Sequence, residues 1–254
     1  MPTSVTKTRS KSKPRAQSVI TWPIGEIIRR LEPAYGPAQT PRGYDATSEL
    51  IYTILSQNTS DTNSTRAYSS LRASFDSWEA MARAEPQAVV EAIRIGGLAQ
   101  IKGPRIQAIL RELKARNGTY DISFLAEMPL DEAKAWLREL PGVGPKTVGC
   151  VLMFALDRPA LPVDTHVHRV AMRLGLIGPK VTADQSHDAL EALVVPGDRL
   201  PFHMYLIRHG RVACKAQRPL CGDCLLEERC PSSLRRPDSP LAKAKSRKPA
   251  PSRP

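Results

Sequence analysis

An all-α fold is predicted from three observations. Apolar residues recur at three- and four-residue intervals through most of the chain, no segment alternates apolar and polar residues as a half-buried strand would, and cap and stop residues bracket the periodic stretches. Ile24, Ile27, Ile28 and Leu31 form the first stripe. Leu50, Ile51, Ile54 and Leu55 form a second after Ser48, ending at the polar break SQNTSD, where Asp61 is placed to cap a helix bearing Ala67, Tyr68, Leu71 and Phe75. Ile106, Ile109, Leu110 and Leu113 define a helix that stops at Asn117-Gly118. Ala133, Trp136, Leu137 and Leu140 define one that stops at Pro141-Gly142. Pro145 opens the next, with Val148, Val151, Leu152 and Ala155 inside. Asp164 then stands where an N-cap belongs, ahead of Val167, Val170, Ala171 and Leu174, with Gly175 as the stop.

The chain has 254 residues and a net charge of +12, which suggests a polyanionic partner. That charge is not evenly spread. Residues 1–18 carry Lys7, Arg9, Lys11, Lys13 and Arg15 with no acid, and residues 231–254 carry seven Lys or Arg against Asp238, so the two ends hold +11 of the +12. Both ends are rich in Pro, Ser and Lys and poor in groups that repay ordering entropy. Residues 1–18 and 232–254 are therefore read as disordered basic tails, which either solubilise the protein or attract phosphates. The region between them is near neutral, so any polyanion-binding face there must be a local patch. No stretch approaches the roughly 20 apolar residues of a membrane span and no apolar signal core follows the N-terminus, so a soluble, cytoplasmic protein without membrane contact is expected.

The segment LPGVGPKT at 140–147 is the first chemically specific one. Gly142 and Gly144 can take positive φ and lack a Cβ, so backbone N–H groups can approach a phosphate at the start of the next helix; an ordinary helix-helix turn is the alternative. Lys146 falls in that helix's first turn, where its charge and the positive dipole end repel. An amine relieved of its proton is a nucleophile, whereas a protonated one would hold a phosphate. Asp164, eighteen residues on in PVDTHVH, can cap its helix and also stabilise developing positive charge.

LPGVGPKT followed by PVDTH resembles the helix-hairpin-helix glycosylase superfamily, its endonuclease III branch in particular, and the likeness runs over residues 19–231 through LSQNTSD, GGLAQIK, the His-Gly-Arg run and the cysteine cluster. The resemblance implies a six-helix barrel domain at 42–158 and a discontinuous iron-sulfur cluster domain at 19–41 and 159–231, with the DNA cleft between them. It implies that Lys146 attacks the sugar C1′ and that Asp164 assists. A damaged nucleotide must leave the stack to be reached. Gln57, with Asn58 beside it, resembles the family's wedge amide, and Leu98 its apolar plug; a solvated helix end and a core leucine are the plainer readings.

Cys214, Cys221, Cys224 and Cys230 lie within seventeen residues, with only Cys150 elsewhere, and suggest a metal site. Four thiolates suit zinc or iron, and a zinc ribbon more often pairs two close Cys couples than one CxxC flanked by single thiols. The intervals resemble the 4Fe-4S loop of the endonuclease III family, which implies that cofactor. Lys215 and Arg218, between the first two ligands, would then be fixed against phosphates. Cys150 is read as a buried core thiol. The function so implied is a monomeric bifunctional glycosylase and AP lyase acting on oxidised or saturated pyrimidines and abasic sites in duplex DNA. A monofunctional glycosylase using water and a noncatalytic DNA-binding module are the alternatives. Ala99 and Gln100 depart from the family's tyrosine and asparagine after the plug, and Gln-Asn-Thr from its Ala-Gln-Ala in the wedge, so lesion range is the least defined property.

Overall fold

A computed structural model describes residues 22–246; residues 1–18, the expected N-terminal tail, lie outside the described residues. Twelve α-helices and no strand occur among the described residues. They are α1 (Ile24–Tyr35), α2 (Ala46–Ser56), α3 (Asp61–Ser74), α4 (Trp78–Arg83), α5 (Pro86–Ala92), α6 (Ala99–Asn117), α7 (Leu130–Arg138), α8 (Pro145–Cys150), α9 (Thr165–Arg173), α10 (Gln185–Leu193), α11 (Arg199–Val212) and α12 (Pro240–Ser246).

Local chemistry explains where they begin and end. Asp45 caps α2 by accepting from the Ser48 N–H, and Gly118 ends α6 in the left-handed conformation. α3 is capped by Ser60, which accepts from the Asn63 N–H; Asp61, expected at the cap, is the first helical residue and instead pairs with Arg211 at 2.7 Å. α8 does not run on as an ordinary helix. Its continuation Val151–Ala155 widens to a π-helix, a feature enriched near functional sites.

Two hydrophobic cores divide these elements. One draws on Ala46 to Ala160, from α2 through the first part of the 145–155 helix. The other joins Trp22, Ile27 and Leu31 of the N-terminal region to residues 161–226, mainly on α9, α10 and α11. The 145–155 helix belongs to both: Val148, Val151 and Leu152 enter the first core and Met153 the second. It is therefore the element through which the two cores are registered, and Lys146 lies at its start.

The segment after Cys230 corrects the sequence reading. Residues 232–246 fold back: Ser232, Ser233 and Ser239 are buried, Ser233 Oγ donates to Glu227 at 2.7 Å, and α12 closes the described chain. Serines satisfied by a carboxylate and by backbone turns order a segment whose composition alone signals disorder. The remainder of the expected tail, 247–254, lies outside the described residues.

Candidate active site

Gly142 takes φ +69°, and Val143 N–H returns to Leu140 C=O at 3.2 Å, so the chain reverses tightly between α7 and α8. A Cβ on Gly142 would also strike the Arg105 guanidinium. Gly144 is extended, at φ −96°, and caps α8 with no side-chain bond; Pro145 follows at N1, where no N–H is needed. Lys146 is half-buried in the next position. Cys150, one turn further, is fully buried, and burial pushes its thiol up while the Lys146 charge partly offsets that effect. The ion pair between half-buried Arg42 and buried Glu49, at 2.8 Å, acts on the same thiol; the Arg42 guanidinium lies 4.2 Å from the Tyr52 ring centroid.

Asp164 caps α9. Its Oδ1 accepts from His166 N–H at 2.9 Å and Val167 N–H at 2.8 Å, and Oδ2 has no hydrogen-bond partner among the described residues. The carboxylate can therefore hold the helix with one oxygen while the other remains available. The loop leading to it is pressed onto α8 at Gly149: a Cβ there would lie 2.8 Å from both Pro162 Cα and Pro162 N. Only glycine permits that approach, which brings the Asp164 loop against the helix carrying Lys146.

His203 on α11 secures the other side of this loop, with Nδ1 2.7 Å from Pro162 C=O. The residue is 2% exposed, and burial lowers its pKa to about 4 against the opposing pull of Asp164, with Lys146 and His187 adding to the fall. Because folding favours the neutral ring, acidification through the unfolded pKa near 6.5 towards about 4 removes stability. Between pH 7 and pH 5 this group is expected to cost about 2 kcal/mol of unfolding free energy. Denaturant titrations at both pH values should show that loss in the wild type and a smaller one, by that amount, in His203→Asn. Equal losses would place the His203 pKa near its ordinary value.

Two other segments face outward near the hairpin. α2 ends at Ser56; Gln57 caps it and accepts from Arg105 Nη1 at 3.2 Å, and Asn58 is exposed with φ +53°. Leu98, 49% exposed, caps α6 at φ +54°. Among the described residues only three non-glycine positions adopt positive φ, and two of them are Asn58 and Leu98. A left-handed leucine with its side chain in solvent is strained and displays apolar surface at the same time, so neither a core leucine nor an ordinary cap describes it.

Cys214, Cys221, Cys224 and Cys230 all line one cavity, with Arg173, His209 and Leu241 in its wall. Partial burial pushes the half-buried thiols of Cys224 and Cys230 up, to about 11 and about 12. Among the described residues no three His, Cys, Asp or Glu side chains are grouped so that they could hold a metal ion. Arg173, 8% exposed, organises the loop: it donates to Cys214 Sγ at 3.3 Å, to Lys215 C=O at 2.8 Å and to Ala216 C=O at 2.8 Å. Lys215 and Arg218 stand exposed on the segment so held.

Sequence reasoning did not find Arg105, Arg173 or His203. Each acts across tens of residues through backbone carbonyls, an amide or a glycine surface, and no local pattern marks such a role.

A helical fold with a lysine-bearing hairpin, a capping aspartate pressed onto the same helix and a four-thiol loop defines a class. Residues 51–196 match the model of the HhH-GPD superfamily base excision DNA repair proteins, and the chain belongs to that superfamily. Within it the chain is an endonuclease III-like DNA glycosylase. It is 35% identical over 214 residues to endonuclease III of Thermotoga maritima, a match that spans 83% of this chain and 92% of that protein. It is also 39% identical over 171 residues to a DNA glycosylase homologue of Arabidopsis thaliana, of which it covers 58%. Among solved structures, a trapped endonuclease III–DNA covalent intermediate superposes with TM-score 0.72 at 25% identity, over 88% of this chain and 97% of that one. Among the described residues no helix is long and apolar enough to cross a membrane.

Proposed function

We propose that the protein is a bifunctional DNA glycosylase and AP lyase that removes oxidised or saturated pyrimidines from duplex DNA, acting as a monomer. The observation that carries this reading is the joint placement of Lys146 and Asp164: the helix bearing the amine is the surface onto which Gly149 admits the loop bearing the carboxylate. In the proposed reaction Lys146 Nζ forms a bond to C1′ as the C1′–N bond to the base breaks, its electron pair leaving with the base. The amine's protons are lost to solvent or to the departing base, the sugar ring opens, and the resulting imine acidifies C2′–H. Loss of that proton expels the 3′ phosphate oxygen and nicks the strand. The free oxygen of Asp164 would stabilise the cationic sugar while its partner oxygen keeps α9 capped.

Gly142 and Gly144 would bind backbone phosphate through main-chain N–H groups. Gln57 or Asn58 and Leu98 would fill the space left by the extruded nucleotide. The test is a panel of duplex oligonucleotides carrying thymine glycol, dihydrouracil, uracil, 8-oxoguanine or an abasic site, each opposite all four bases. Release of the saturated pyrimidines with concurrent nicking is the expected result; release without a nick would indicate water as nucleophile, and no release at all would reduce the protein to a DNA-binding module.

The thiol cavity fits a 4Fe-4S cluster held by Cys214, Cys221, Cys224 and Cys230. Four thiols line one cavity, and their spacing, one CxxC flanked by single thiols, resembles a cluster loop more than a zinc ribbon. Bound there, the cluster would tether the loop that carries Lys215 and Arg218. Purified anaerobically, the protein is expected to be yellow-brown with about four irons per chain. Stoichiometric zinc and no visible absorbance would remove the cluster and leave the glycosylase reading intact.

A further inference from the structure

The N-terminal half of α6 connects three loops that the preceding sections describe separately. Lys102 is 2% exposed, and its Nζ donates to Leu55 C=O at 2.7 Å and to Gly96 C=O at 3.0 Å. Those carbonyls end α2, two residues before Gln57, and the turn two residues before Leu98. Arg105, one turn along α6, donates to the Gln57 side chain, and its Nε, Cδ and Cζ occupy the place where a Cβ on Gly142 in the hairpin would lie. Two side chains on one helical face thus touch the segment bearing Gln57 and Asn58, the strained turn at Leu98 and the turn that leads to Lys146.

Lys102 is costly as a plain structural bolt. No carboxylate forms an ion pair with it among the described residues, both its partners are neutral carbonyls, and burial lowers its pKa. A buried cation without a counter-ion normally destabilises a fold relative to an apolar side chain of similar length. Such a feature persists where geometry matters more than stability. Its two carbonyls could be reached by no apolar substitute, and they belong to the two segments that end in the left-handed residues Asn58 and Leu98.

We propose that Lys102 and Arg105 are positioning residues for base extrusion, holding the Gln57–Asn58 segment, Leu98 and the Gly142 hairpin at a set spacing so that they enter the duplex as one rigid jaw. The inference rests on the DNA glycosylase reading, and it assigns the pair no contact with the reacting atoms. Extrusion from a duplex needs the jaw, whereas a single strand already presents its sugar. The two substrates therefore separate positioning from general damage to the fold.

The test uses the full-length protein and its Arg105→Ala and Lys102→Gln variants with two measurements. The first is the fluorescence rise of 2-aminopurine placed opposite a tetrahydrofuran abasic analogue, which needs no chemistry. The second is the rate of borohydride trapping at a natural abasic site in duplex and in single-stranded oligonucleotides. Each variant is expected to lose most of the fluorescence rise and to trap on duplex about 20-fold more slowly, while single-strand trapping stays within about 2-fold. Equal losses on both substrates, or a wild-type fluorescence rise in both variants, would overturn the proposal. If the wild type fails to trap at all, the lysine chemistry fails instead, and the fluorescence arm still decides the positioning role.

Discussion

Lys146→Gln is expected to abolish strand nicking and to lower base release by at least about 1,000-fold, while binding of a lesion-bearing duplex stays within a few-fold of wild type. The amide keeps much of the side chain's length but offers no lone pair able to form an imine. Its surroundings should tolerate the change: Lys146 is half-buried, and the backbone of its helix start is set by Gly144 and Pro145 rather than by the lysine itself. Single-turnover assays with separate quantification of free base and of nicked strand check this. Base release near the wild-type rate with only the nick lost would assign the glycosylase step to water.

Gly149→Ala should have the second-largest effect, although Gly149 touches no substrate in the proposed reaction. The new methyl would meet Pro162 backbone atoms at 2.8 Å, and backbone cannot rotate out of the way as a flexible side chain can. The loop through Asp164 must then move off α8. Overpacking of this kind costs about 1–3 kcal/mol of stability. A carboxylate displaced by about 1 Å from the developing charge can lower the rate of base release on the order of 100-fold. Denaturant titration and single-turnover base release together test it. A variant as stable and as active as wild type would show that the loop and α8 need not be in contact.

The helical class was legible because it rests on local pattern. The stripes at Ile24–Leu31, Leu50–Leu55 and Ile106–Leu113 each fall within a helix, and Gly118 and Asp164 stop and cap helices as their side-chain chemistry dictates. The superfamily was legible through the resemblance of LPGVGPKT and PVDTH to the endonuclease III family, since a turn and a cap alone do not single out one fold. Two local details shifted. Ser60 rather than Asp61 caps α3, since either side chain can accept the N3 N–H and Asp61 has a cationic partner in Arg211. The helix through Cys150 widens to a π-helix, for which apolar spacing carries no signal.

What the sequence could not carry is contact across distance. Arg173 reaches the cysteine loop some forty residues away through its carbonyls, and His203 reaches Pro162 in the same manner. Composition misled at the C-terminal side. A Pro-, Ser- and Lys-rich composition signals disorder, yet Leu241 reaches the wall of the thiol cavity and Ser233 closes a turn from Cys230. Ordering entropy there is offset by buried hydroxyls that find partners, and residue counts do not record partners.

The central claim is that Lys146 is a nucleophile that forms an imine with the sugar. Borohydride reduces an imine to a stable amine, so wild-type enzyme mixed with a thymine glycol duplex and borohydride should yield a covalent protein–DNA adduct whose mass-mapped peptide carries the sugar remnant on Lys146. Base release without any trapped adduct, or an adduct mapped to another amine, would contradict the account.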